Sequence, residues 1–159
     1  MGVKKAYTLA EAQSAIDIAD ERYFKQIRSV RSDVTNEQFN SSMFGNDVGH
    51  VFRHVEETRA DGKSTYCDKA TAVAVTRYLL SSAEGQAKLG ELDTASPGGS
   101  FVESNPAQRC IEANIVGEAF YGYTANGTHS RKIKRAICYV MKLGASTLWV
   151  HTSYPCQFH

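Results

Sequence analysis

Two histidines four residues apart open the case for chemistry in this 159-residue chain: His50 and His54, within Gly49-His50-Val51-Phe52-Arg53-His54-Val55. On a helix the two would share a face, with Cβ atoms about 5–6 Å apart. Imidazoles titrate near neutrality, so a pair can divide general-base and general-acid work. A pair can also hold a metal, but the glutamate of a zincin motif is missing because position 51 is Val. The plain alternative is a pair of half-exposed helix histidines with no chemistry.

A second set lies at the other end of the chain, in His151-Thr152-Ser153-Tyr154-Pro155. Strand alternation places Thr152 and Tyr154 on one face, and His151 with Ser153 on the other. A hydroxyl beside a phenol can donate hydrogen bonds to a phosphate, and the ring can stack a base. Thr and Tyr are also ordinary strand residues. Proline has no N–H for a central ladder, which predicts that the strand stops at Tyr154.

Several elements must position these residues. Thr8-Leu9-Ala10-Glu11 has the capping-box pattern, and Leu9, Ala12, Ile16, Ala19, Tyr23, Ile27 and Val30 continue it as one apolar stripe to near Arg31. The segment 33–49 is polar and reads as loop, with room for a short helix. A second helix is expected from Val48 to Glu57, closed by the Asp61-Gly62 turn. Ser64-Thr65-Tyr66-Cys67 is extended, and Asp68 caps a helix running through residues 70–82. The stretch 83–109 reads as loop-rich, with Ser96-Pro97-Gly98-Gly99-Ser100 as a turn. Four β-rich runs follow, at 110–116, 119–123, 134–141 and 147–154, with turns at Ala125-Asn126-Gly127 and Leu143-Gly144-Ala145. Helices first and an antiparallel sheet afterwards make the class α+β.

Composition narrows the function. Hydrophobic residues are 42% and charged residues 22%, ordinary values for a globular domain with a core. No apolar run approaches the roughly 18 residues of a membrane span, and the N-terminus lacks a signal peptide's apolar stretch. The net charge of +1 hides a split: residues 1–118 carry 13 Lys+Arg against 17 Asp+Glu, whereas 119–159 carry five cations and no carboxylate. Such a split lets one region attract phosphate while the chain stays near neutral. The four cysteines, Cys67, Cys110, Cys138 and Cys156, form no CxxC pair, so finger-type metal spacing is absent. Free thiols are the expectation, with a disulfide open to an exported protein.

Three segments, taken in order, resemble the bacterial RNase A-like toxin domains found at the C-termini of contact-dependent inhibition and other polymorphic toxins. They are Arg53-His54-Val55, Ser64-Thr65-Tyr66-Cys67-Asp68-Lys69-Ala70-Thr71-Ala72 and Thr152-Ser153-Tyr154-Pro155, spanning about residues 46–157. Each is short, and the order and spacing carry the resemblance. It implies a kidney-shaped RNase A-like fold, metal-independent RNA cleavage and no cofactor. It also implies a cognate immunity protein and delivery into the cytoplasm of a target cell. By this resemblance the family's histidine falls on His54, its Thr-x-Tyr on Thr152 and Tyr154, and its arginine on Arg59. The interval from His54 to Ser64 is shorter than the family's, which brings in Lys63 and Arg53 as substitutes for Arg59; the preceding Gly-His sits one residue closer than the family spacing, which makes His50 a rival base.

Cleavage of RNA by its own 2′-hydroxyl needs a base for that proton, an acid for the 5′-oxygen and donors for the phosphorane. In that scheme His54 or His50 is the base, Arg59 clamps the phosphate with a forked guanidinium, and Thr152 donates to a non-bridging oxygen. Tyr154 protonates the leaving group or stacks a base. His151 ranks lower as an acid, because alternation turns it away. Lys63, Arg131, Lys132 and His129 are expected to hold the RNA backbone, and His159 to be a frayed end. The substrates expected are single-stranded RNA and exposed tRNA loops, and the protein is expected to be a monomer. The expected nuclease core is 46–159, with 1–45 either part of it or a delivery segment. Two other readings stand: an EndoU-like endoribonuclease using both helix histidines, and a non-catalytic binding module whose basic edge is 131–135.

Overall fold

The computed structural model describes residues 7–17, 51, 54–56, 62–94, 108–143 and 147–159. His50, Arg53 and Arg59 lie outside them. Within these residues the chain is α+β, as the sequence predicts. Helix α1 covers residues 9–17. After it come strand β1 (Thr65–Tyr66), helices α2 (Lys69–Ser81) and α3 (Ala83–Thr94), and strands β2 (Gln108–Asn114), β3 (Tyr121–Tyr123), β4 (Arg131–Leu143) and β5 (Thr147–Phe158).

The caps read from the sequence are present. Thr8 Oγ1 accepts from the Glu11 N–H at 3.1 Å and the Thr8 N–H reaches Glu11 Oε1 at 3.3 Å, a reciprocal box. Asp68 Oδ1 accepts from the Thr71 N–H at 2.7 Å, and hydrogen bonds from the Thr71 side chain first and its N–H second hold the Asp68 carboxyl below its usual range. Leu9, placed on the apolar stripe, is exposed; Ala12, Ala15 and Ile16 carry the buried side of α1.

Residues 83–94, expected to be loop, form a helix. Ser82 links it to α2: its Oγ donates to the Leu79 carbonyl at 2.6 Å and accepts from the Gly85 N–H at 3.0 Å. A Cβ at Gly85 would overlap the Leu79 carbonyl oxygen, so the tight junction needs glycine there. Leu89 and Leu92 bury α3 against β2. The expected helix from Val48 to Glu57 is also different where it is described. His54 donates its N–H to the Val51 carbonyl at 3.0 Å in a 3₁₀ turn, and Val55 makes a parallel bridge with Tyr66.

The five-stranded sheet is built around β4. Strands β2, β3 and β5 each pair antiparallel with it, and β1 pairs antiparallel with β3. The Thr124–Gly127 turn joins β3 to β4, with the Gly127 N–H donating to the Thr124 carbonyl at 3.0 Å. β5 does not stop at Tyr154: it continues through Pro155, which pairs with Ala136 beside a register shift, to Phe158. A proline is tolerated at such an irregularity because no regular ladder bond is lost there. Three register shifts along β4–β5 bend the ribbon.

One face of this sheet is core. Ile111, Ala113, Ala136, Cys138, Val140, Leu148 and Val150 pack with the buried side chains of α1, α2 and α3. No helix among the described residues is long and apolar enough to cross a membrane.

Candidate active site

The other face of the same strands carries polar side chains around Tyr154 and Thr152 and the buried Met141 and Trp149 at its far end. Cross-strand register lays them out in rows. Glu112, Ile137 and Tyr154 form one row, Cys110, Tyr139 and Thr152 the next, and Gln108, Met141 and Trp149 a third. All of them alternate with core residues, so they share the face turned away from the helices.

His54 stands over this face. Its ring stacks on Tyr154 with centroids 4.8 Å apart and planes inclined by 26°. Its Nδ1 lies 2.8 Å from the Ser64 carbonyl oxygen. A carbonyl only accepts, so Nδ1 carries the proton and, in the neutral ring, Nε2 carries the lone pair. That is the tautomer a general base needs.

The support beneath is local and specific. Ser64, whose carbonyl fixes the imidazole, donates its hydroxyl to the Pro155 carbonyl at 2.7 Å, tying the segment before β1 to the residue after Tyr154. Between Thr152 and Tyr154, Ser153 points into the core and is fully buried. Its Oγ lies 2.9 Å from the Tyr66 hydroxyl and 2.8 Å from Thr76 Oγ1, which also lies 2.7 Å from the Ala72 carbonyl oxygen. Thr76 has one hydroxyl proton, and the carbonyl can only accept it. Ser153 then donates to Thr76 and accepts from Tyr66, so every hydroxyl in the chain is satisfied. Burial pushes the Tyr66 phenol far up, which keeps it neutral.

Tyr154 is also raised above the usual phenol range, mainly by burial. It shares a hydrogen bond with Tyr139, whose phenol burial pushes up to about 12. Both phenols therefore stay protonated at neutral pH and can donate. Sequence reasoning missed Tyr139, because only the β4–β5 register reveals that it faces Thr152 across the strands.

The structure corrects the placement of His151. Register steps from Tyr139–Thr152 to Val140–Val150, which leaves His151 as an extra residue on β5. Burial confirms the slip: Val150 and Ser153 are core, while His151 and Thr152 between them are both half-exposed. This is a β-bulge, which re-aims a side chain. His151 therefore shares the face of Thr152 and Tyr154. Its ring meets Trp149 edge-on at 5.9 Å and 88°.

Arg135, on the same face, donates to Glu112 at 3.0 Å and to Asn114 Oδ1 at 2.9 Å. Arg131 and Lys132 are exposed at the start of β4, with Arg131 donating to the His159 carbonyl at 2.6 Å and the His159 N–H donating to the Lys132 carbonyl at 3.0 Å. His159, expected to be frayed, is thus tied to β4. Lys132 precedes Ile137, the partner of Tyr154, by five residues. At about 3.4 Å per residue that is roughly 17 Å along the strand. Lys63 is exposed next to Ser64, and His129 is exposed in the chain leading into β4. The structure thus stacks His54 on Tyr154, sets Thr152 on the same strand face and Lys63 next to Ser64 in the chain, and places Arg131, Lys132 and His129 apart.

All four cysteines are free thiols, and Cys138 alone of them is buried. Among the described residues no three His, Cys, Asp or Glu side chains converge on a common point that could hold a metal ion.

No family model and no curated protein matches the chain. Among solved structures it is similar to a chain of the CdiA-CT/CdiI complex from Y. kristensenii 33638, at 18% identity over 62% of this chain and 80% of that one, with a TM-score of 0.40. A likeness at that level transfers neither fold nor function, and the functional reading rests on the residues.

Proposed function

We propose that this protein is a toxin ribonuclease of RNase A-like type, cutting RNA by attack of its own 2′-hydroxyl and leaving 2′,3′-cyclic phosphate. The observation that carries the reading is the Nδ1 contact of His54 to the Ser64 carbonyl, made while the ring lies stacked on Tyr154. A base fixed in the right tautomer, a hydroxyl and a protonated phenol together on one sheet face suit an in-line displacement at phosphorus. His54 Nε2 takes the 2′-hydroxyl proton. Thr152 donates to a non-bridging oxygen, and Tyr154 donates to the phosphate while its ring orients the base. A donor aimed at developing charge contributes about 3 kcal/mol to such a step. Arg59 remains the proposed guanidinium clamp from the sequence resemblance, with Lys63 as the described cation next to the site.

Arg131, Lys132 and His129 would hold phosphates of a strand running along β4, well away from the cut. Delivery into a competing cell and neutralisation by an immunity protein follow from the same resemblance. Residues 7–17 belong to the nuclease unit in this reading, since Ala12, Ala15 and Ile16 of α1 lie in the core.

The test is incubation of the purified protein with total bacterial RNA in EDTA, beside His54→Ala. Cleavage that persists and leaves cyclic phosphate ends is expected. His54→Ala should lose about 10²–10⁴-fold, the range for a positioned base. Fragments with 5′-phosphate and 3′-hydroxyl ends, loss of cleavage in EDTA, or an unimpaired His54→Ala protein would overturn the proposal.

A further inference from the structure

Resting on the ribonuclease reading, we infer that His151 is the general acid that protonates the departing 5′-oxygen. The bulge is the decisive observation. In a regular strand His151 would alternate with Thr152 and point into the core with Ser153. One extra residue between the Tyr139–Thr152 and Val140–Val150 pairs instead sets Trp149, His151, Thr152 and Tyr154 on one face. Bulges next to active sites commonly serve to re-aim a side chain in this way.

The order along β5 then makes chemical sense. His54 stacks on Tyr154 at one end of the row, Thr152 lies two residues before Tyr154, and His151 is next to Thr152 on the far side. By this order a phosphate held by Thr152 would lie between the two imidazoles. In-line displacement requires this arrangement, because the attacking and leaving oxygens stand on opposite sides of phosphorus. The edge-on Trp149 ring limits how the imidazole of His151 can turn.

Proton matching supports the assignment. Acid catalysis is most effective when the donor titrates near the working pH. Imidazole as a class does so, whereas the Tyr154 phenol is held above even the ordinary phenol range. Tyr154 thus suits hydrogen bonding to the phosphate better than proton transfer to the leaving group. His54 Nε2 takes the 2′-proton, the 2′-oxygen bonds to phosphorus, and the P–O5′ bond breaks as O5′ takes a proton from the His151 imidazolium. The products are a 2′,3′-cyclic phosphate and a 5′-hydroxyl, with His54 protonated and His151 neutral. Exchange with water resets both.

The experiment compares two RNA oligonucleotides carrying the mapped cleavage site, identical except that one has sulfur in place of the bridging 5′-oxygen. A thiolate leaves without a proton. His151→Ala and His151→Gln should each cut the oxygen substrate about 10²–10⁴-fold more slowly, and should cut the sulfur substrate at nearly the unmodified protein's rate. His54→Ala should lose activity on both. Equal losses on both substrates in the His151 variants, with far-UV circular dichroism unchanged, would make His151 a binding or structural residue and overturn the inference. Full activity of His151→Gln on the oxygen substrate would overturn it as well. An unmodified protein that cuts neither oligonucleotide, nor any total RNA, would instead remove the ribonuclease reading itself.

Discussion

The two faces of strands β2, β4 and β5 are made from alternate residues of the same segments, yet they obey different rules. Toward the helices stand Ile111, Ala136, Cys138, Val140 and Val150, all buried and apolar. Their one hydroxyl neighbour, Ser153, has its hydrogen bonds met by Tyr66 and Thr76. Away from the helices stand Cys110, Glu112, Arg135, Tyr139, His151, Thr152 and Tyr154, polar and partly open to water. The core face fixes where the strands lie, and the open face carries groups that can move protons. Because the period is two residues, any slip would exchange the faces. The bulge at His151 is such a slip, confined to one residue, and it adds an imidazole to the open face without removing a core side chain.

Substitutions on adjacent residues can break this contrast. Ile111→Ala should cost about 2–5 kcal/mol of unfolding free energy, the range for a buried large-to-small change. Cys110→Ser, one residue away on the open face, should leave the urea midpoint nearly unchanged. Equal effects in urea titrations would mean the faces are not distinct.

Ser153 sharpens the comparison because it serves both faces. Ser153→Ala strands the buried Tyr66 hydroxyl, at a cost of about 1–3 kcal/mol. Adding Tyr66→Phe should recover part of that loss, since the orphaned donor goes with it. A double variant less stable than the single by the full Tyr66→Phe cost would show that the two hydroxyls are not coupled.

The smallest effect is expected on the open face. Glu112→Gln removes a half-exposed ion pair with Arg135 and should change stability by less than about 1 kcal/mol. It should change Cys156 more visibly. Burial, with the Glu112 charge behind it, pushes that thiol up to about 11, so little thiolate exists at pH 9. Removing the carboxylate lowers the thiol's pKa and raises the thiolate fraction. Alkylation of Cys156 at pH 9 should therefore quicken in Glu112→Gln, and an unchanged rate would contradict the coupling.

Much of the architecture was legible in the sequence, for reasons that are local. Thr8 and Asp68 announce helix starts because capping needs only a side-chain oxygen three residues from an N–H. The β-rich runs announce strands by composition. Helix α3 was not legible: its cap, Ser82, ends the preceding helix, and only Leu89 and Leu92 mark its buried side. The pairing of His54 with Tyr154 was suggested by resemblance, but its geometry depends on Ser64 and Pro155 meeting across 91 residues. Tyr139 and the true face of His151 were invisible, because both follow from strand register. Register is a relation between two segments, and alternation within one segment cannot supply it.

In the proposed mechanism the His54 imidazole is held with its proton on Nδ1 against the Ser64 carbonyl, leaving Nε2 as the base. Two-dimensional ¹H–¹⁵N spectra of the histidine rings, recorded at a pH where His54 is neutral and assigned with His54→Ala, report this directly. A protonated Nδ1 and a lone-pair Nε2 are the expected result. A proton on Nε2 instead would contradict the base assignment.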